Sequence, residues 1–154
     1  PTQEDRDDRN LDTNRWAGTA MDIGKCWDFK DDEQPAYPVI EVTLSSAHRK
    51  VAITPKVDTG FDGLVAVDRE TVRRLHLTPK GTVLIRTSIG YKETSIYPVN
   101  LSQLDLGVAY ATLAIGTERS LLGRRFLENK TWLLDCKGLQ GRFCIVTRTA
   151  ASEV

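Results

Sequence analysis

Asp58-Thr59-Gly60 is the segment with the most evident chemistry in this chain: a carboxylate, a hydroxyl and a glycine in consecutive positions, preceded by Val57. An acidic side chain on a tight turn at a strand end is suited to general acid/base work, and the glycine lets the backbone bend sharply there. By average residue usage a given tripeptide arises by chance in roughly a few per cent of chains this long. The context therefore has to carry the assignment. A second element, Leu121-Leu122-Gly123-Arg124, lies well downstream.

Other chemistries lack their signatures. The sequence has no Gly-x-Ser-x-Gly elbow, no Gly-Lys-Ser/Thr phosphate loop, no Gly-x-Gly-x-x-Gly and no Cys-x-x-Cys. His48 and His76 read as a turn residue and a helix-end residue, without metal-ligand spacing to the cysteines, so no metal and no cofactor are expected. Charge is balanced, with 21 basic and 21 acidic residues and no basic-aromatic stripe, which argues against nucleic acid as the main partner.

The elements around Asp58 read as β structure. Val39 to Leu44 alternates as a strand, residues 45–50 are polar and turn-like, and Val51-Ala52-Ile53 resumes the extended pattern and leads to Val57-Asp58. Leu64 to Val67 is a short buried run. Asp68 is suited to N-cap a helix through Leu75, with Val72 and Leu75 on one face, and Thr78-Pro79-Lys80-Gly81 ends that segment. Thr82–Thr87 and Thr94–Val99 are extended runs joined through residues 88–93, a hairpin with Gly90 at its tip that reads as a flap. Ala109–Ile115 is a further strand. Residues 120–127 read as a strand end passing into a short helix, and Thr131–Cys136 pairs with Arg142–Thr147 as a terminal hairpin.

From about Pro38 to Val146 this pattern resembles the retropepsin-like single-domain aspartic proteases of bacterial and viral type. Val57-Asp58-Thr59-Gly60 matches their catalytic turn. Leu121-Leu122-Gly123 matches the hydrophobic-hydrophobic-glycine element that packs behind it, and Gly123 to Leu127 resembles the short helix of the viral enzymes. In those enzymes an arginine directly after the glycine pairs with an aspartate four residues beyond the catalytic one, which here are Arg124 and Asp62. The resemblance implies an all-β closed barrel or sandwich with one or two short helices, active as a homodimer.

What the resemblance implies for function is an aspartic endopeptidase. Hydrolysis by this route needs two carboxylates sharing a proton, and the sequence offers a single Asp-Thr-Gly. A two-fold axis would set Asp58 beside its symmetry mate, and the dyad would titrate in two separated steps. By resemblance, Thr59 hydrogen-bonds across the axis, Gly60 and Asp62 hold substrate backbone, and Phe61, Ile89, Gly90 and Tyr91 line the substrate site. Leu122, Gly123 and Arg124 give structural support. The partners implied are a polypeptide substrate and a second copy of the chain. The same residues also fit an alternative, a retropepsin-fold dimerising or peptide-binding module with weak or no turnover. Self-processing is a third reading.

Three departures from the family pattern carry expectations. Phe61 stands where viral members usually have Ala and pepsin-like members Ser or Thr, so no hydroxyl helps stabilise the ionised dyad, and activity should lean to mildly acidic or neutral pH. Lys56 occupies a position usually apolar or small. Gly90 alone serves the flap, which implies a stiff tip.

A length of 154 residues at 40% hydrophobic content supports one domain with one core and an extension. The division read here is an acidic extension over 1–37 and a protease-like domain over 38–154. Residues 1–34 carry ten acidic and five basic side chains, which leaves eleven acidic and sixteen basic in the rest, so the parts are near −5 and +5 and should attract. Trp16, Met21, Ile23, Trp27 and Phe29 give the extension something to bury, as a structural or dimer arm or as a pro-segment. Cys26, Cys136 and Cys144 are odd in number, which favours a reducing, cytoplasmic setting, with Cys136 and Cys144 flanking the last turn and facing each other. No stretch of about 18 apolar residues and no signal peptide is visible. An upstream start with an anchor stays open because the chain begins at Pro1.

Overall fold

In the segment that follows Pro38, Val42 and Leu44 are buried while Thr43 and Ser45 are half-open, the period-two pattern of a strand with one face on a core. The computed structural model describes residues 19–137 and 140–150. In it the chain forms β1 (Thr19–Asp28), β2 (Val42–Ser45), β3 (Lys50–Ile53), β4 (Lys56–Val57), β5 (Val65–Val67), α1 (Arg69–Arg74), β6 (Gly81–Thr87), β7 (Gly90–Gln103), β8 (Val108–Gly116), β9 (Leu121–Leu122), α2 (Arg124–Leu127), β10 (Thr131–Asp135) and β11 (Arg142–Ala150). This is the expected all-β architecture with two short helices.

The strands make two sheets. The larger is curled and runs β3-β2-β7-β8-β5-β9-β4, with β6 pairing the first half of the long β7; the smaller runs β1-β11-β10. Ile40, Leu44, Val65, Val67, Leu75, Leu101, Leu122 and Phe126 form the heart of the core. Asp68 caps α1 as its position predicts, accepting the Thr71 N–H at 2.8 Å. The strand expected from Val39 starts later because the run changes partner: Val39 bridges Lys56 and the Ile40 N–H donates to the Pro55 carbonyl, and only from Val42 does the backbone pair with β3.

Part of the acidic extension is woven into the fold. β1 pairs along β11, Trp27 joins the core opposite Phe143, and Phe29 packs against it, whereas Met21 and Ile23 stay exposed at 66% and 52%. Trp16 lies outside the described residues. The cysteine expectation is corrected. Cys144 lies opposite Cys26 on β1 and opposite Leu133 on β10, and it is bonded to Cys26 with the sulfurs 2.05 Å apart. Cys136 falls beyond the end of β10, exposed and unpaired, because the strand register carries it past Cys144.

Candidate active site

Two very short strands hold Asp58. β4 supplies Lys56 and Val57, and β9 runs parallel to it with Val57 opposite Leu122, while on its other side β9 pairs antiparallel with β5, Val65 opposite Leu122. β9 thus lies between the two strands that the 58–64 loop connects. The Val57 N–H donates to the Pro38 carbonyl and the Asp58 N–H to the Leu122 carbonyl, both at 2.9 Å, so the carboxylate leaves a strand end tied on both sides. Leu122 is fully buried behind it.

The turn closes on itself. The Gly60 N–H donates to Asp58 Oδ1 at 2.9 Å and the Phe61 N–H to the Asp58 carbonyl at 3.2 Å. Asp58 is half-buried, and Thr59, Gly60 and Asp62 are exposed, so the turn presents its tip outward. Its far side is strapped to α2, whose first amides lack helical partners and find loop carbonyls instead: Arg124 N–H donates to Phe61 O at 2.8 Å and Arg125 N–H to Gly63 O at 3.2 Å. Gly123 is required by close approach, since a Cβ there would collide with the Gly63 carbonyl oxygen and lie 2.5 Å from Phe61 Cδ1. Asp58, Thr59, Gly60, Phe61 and Asp62 are therefore brought together with Leu122, Gly123 and Arg124.

One expected contact is absent. Arg124 and Asp62 are both exposed, and no ion pair or hydrogen bond joins their side chains within the chain. Arg124 acts on the loop through its main-chain N–H.

The β6–β7 hairpin stands apart. Thr87 pairs with Gly90, so Ser88-Ile89 is the whole turn, tighter than the six-residue connection read from sequence because β7 begins at Gly90. Gly90 takes a φ of 125°, which a side chain tolerates poorly, and the Thr87 hydroxyl donates to its carbonyl at 2.8 Å. Ile89 is 97% exposed. Tyr91 lies opposite Arg86 and shares the exposed face with Leu84, while Val83, Ile85 and Thr87 occupy the half-buried face. Among the described residues, no hydrogen bond joins the hairpin tip to the 58–63 loop.

Sequence reasoning missed a cluster around Tyr37, which includes Lys56 of the strand that leads to Asp58. The Tyr37 ring, buried at 6% exposure, lies between Lys56, 5.2 Å from its centroid, and Arg119, 4.7 Å away. Its hydroxyl donates to Asp32 at 2.6 Å, and Arg119 Nη1 contacts both Glu33 carboxylate oxygens at 3.1 and 3.2 Å. The hydrogen bond from Tyr37 holds the Asp32 carboxyl below its ordinary range, and burial together with Asp32 pushes the Tyr37 hydroxyl up. The available signal was charge: Asp31-Asp32-Glu33 belongs to the acidic segment, and Lys56 and Arg119 to the basic body.

No protein-family model and no curated protein matches the chain. Among solved structures, EIAV protease complexed with the inhibitor HBY-793 is similar at a TM-score of 0.50 and 20% identity, over 65% of this chain and 93% of that one. At that identity the likeness shows the fold, which is retropepsin-like.

Proposed function

We propose that a chain with this retropepsin-like fold is an aspartic endopeptidase whose site is completed by a second copy, one Asp58 coming from each. The observation that carries the reading is the Asp58 turn: a carboxylate on a strand end, anchored to Leu122 and braced by Gly123. In the complete site two Asp58 carboxyls share one proton. The ionised one takes a proton from water as the oxygen attacks the peptide carbonyl, and the protonated one donates to the carbonyl oxygen. Collapse of the tetrahedral intermediate then delivers a proton to the leaving nitrogen.

The surrounding residues take supporting roles. Thr59 links the two turns across the axis. The Gly60 carbonyl and Asp62 hold the backbone of an extended peptide, which binds as an added strand under the β6–β7 hairpin, with Ile89 and Gly90 at its tip. Because Phe61 brings no hydroxyl to the dyad, the acid limb of the pH profile lies higher than in enzymes with Ser or Thr there. Cleavage of a diverse peptide mixture by wild type and by Asp58→Asn, read by mass spectrometry from about pH 4 to pH 8, tests this directly. Products that disappear in the variant support the protease; silence from both proteins, with the wild type dimeric, favours a peptide-binding module.

A further inference from the structure

We propose that Phe61 is a positioning residue for Asp58 and not a wall of the substrate site, an inference that rests on the protease reading for the role of Asp58. Its ring lies across two glycine backbones. A Cβ on Gly63 would come within 2.6 Å of Phe61 Cζ, and one on Gly123 within 2.5 Å of Cδ1, both closer than carbon atoms approach. The ring is therefore seated directly on bare backbone at both places. Gly63 belongs to the loop that carries Asp58, and Gly123 to the junction of β9 and α2. Phe61 bridges the seam between them.

The backbone of Phe61 is engaged on both sides as well. Its N–H donates to the Asp58 carbonyl and its carbonyl accepts from Arg124. A side chain and a main chain held this way leave the Asp58–Phe61 turn little freedom, and the Gly60 N–H stays aimed at Asp58 Oδ1. The ring face that meets the glycines has no space for a peptide side chain. A smaller residue at position 61 would free the seam, let the turn fluctuate and misplace the carboxylate by the fraction of an ångström to which catalysis is sensitive.

Phe61→Ala and Phe61→Leu in the full chain test this by two independent readings. For Phe61→Ala, amide exchange at Gly60 and Arg124 should quicken about tenfold while exchange in β2 is unchanged. The expected kinetics are a fall in kcat of about tenfold or more, KM within about twofold and an unaltered cleavage-site preference, with Phe61→Leu recovering part of the loss. Should Phe61→Ala fail to fold, Phe61→Leu is read against wild type in the same way, with smaller changes in the same direction. Unchanged Gly60 protection overturns the inference, and so does an altered site preference or a raised KM with kcat intact, which would place the ring in the substrate site. A wild type that cleaves nothing defeats the protease reading alone, since the exchange measurement still decides whether Phe61 holds the turn.

Discussion

Asp58 and the tip of the β6–β7 hairpin are held in opposite ways. Asp58 leaves a strand bonded to Leu122 and enters a turn bonded to Arg124 and Arg125, packed so tightly that Gly123 has no room for a methyl group. Ile89 is almost fully exposed, and a Cβ on neighbouring Gly90 would have nothing within 4 Å. Backbone that is packed and bonded opens only with much of the fold, whereas a two-residue tip projecting into solvent opens by itself. Under the protease reading proposed above, the contrast would give a fixed carboxylate and a hairpin tip free to move when a peptide binds.

Turn and tip should respond to substitution very differently. Gly123→Ala should be the most damaging, costing about 3 kcal/mol in urea unfolding because the added methyl meets the Gly63 carbonyl and the Phe61 ring together. Loss of the Cys26–Cys144 bond, by reduction or by Cys26→Ser, should come next at about 2 kcal/mol, since it ties residues 118 apart in sequence. A thermal melt with and without a dithiol reads it, and an unchanged midpoint would show that the β1–β11 pairing alone holds the extension. Asp68→Ala removes the α1 cap and should cost about 1 kcal/mol. Ile89→Ser should stay within about 0.5 kcal/mol, so a large loss of stability there would end the contrast between turn and tip.

Protonation offers a finer probe of the cluster around Tyr37. The folded state holds the Asp32 carboxyl below its ordinary value through the Tyr37 hydroxyl, so its stabilisation is present above the unfolded pKa and is lost as pH falls through the folded one. Tyr37→Phe should therefore lower stability at neutral pH and flatten the acid side of the profile, its curve converging with that of wild type as pH falls below about 4. Denaturation midpoints across that range are the measurement, and parallel curves for the two proteins would remove Asp32 from the account.

Much of this was legible in sequence where the determinants are local. The Asp58 turn, the Asp68 cap, the β10–β11 hairpin and the glycine of Leu122-Gly123 each follow from neighbouring residue types. Long-range pairing was not legible. Cys26 meets Cys144 because β1 returns to the edge of β11, and no local pattern carries that register. Val83-Leu84-Ile85 is apolar at every position, so alternation could not tell which face of the hairpin turns inward, and Tyr91 fell on the exposed one. Phe61 reads from sequence as an apolar side chain beside a carboxylate; only the two glycine backbones beneath its ring show what it rests on.

The proposal that one Asp58 from each of two copies makes the site is tested by specific activity against protein concentration, with sedimentation followed in parallel. Activity per chain should rise with the dimer fraction, and added Asp58→Asn protein should suppress wild type by forming mixed pairs. Activity per chain that is constant across concentrations where the protein is monomeric would contradict it.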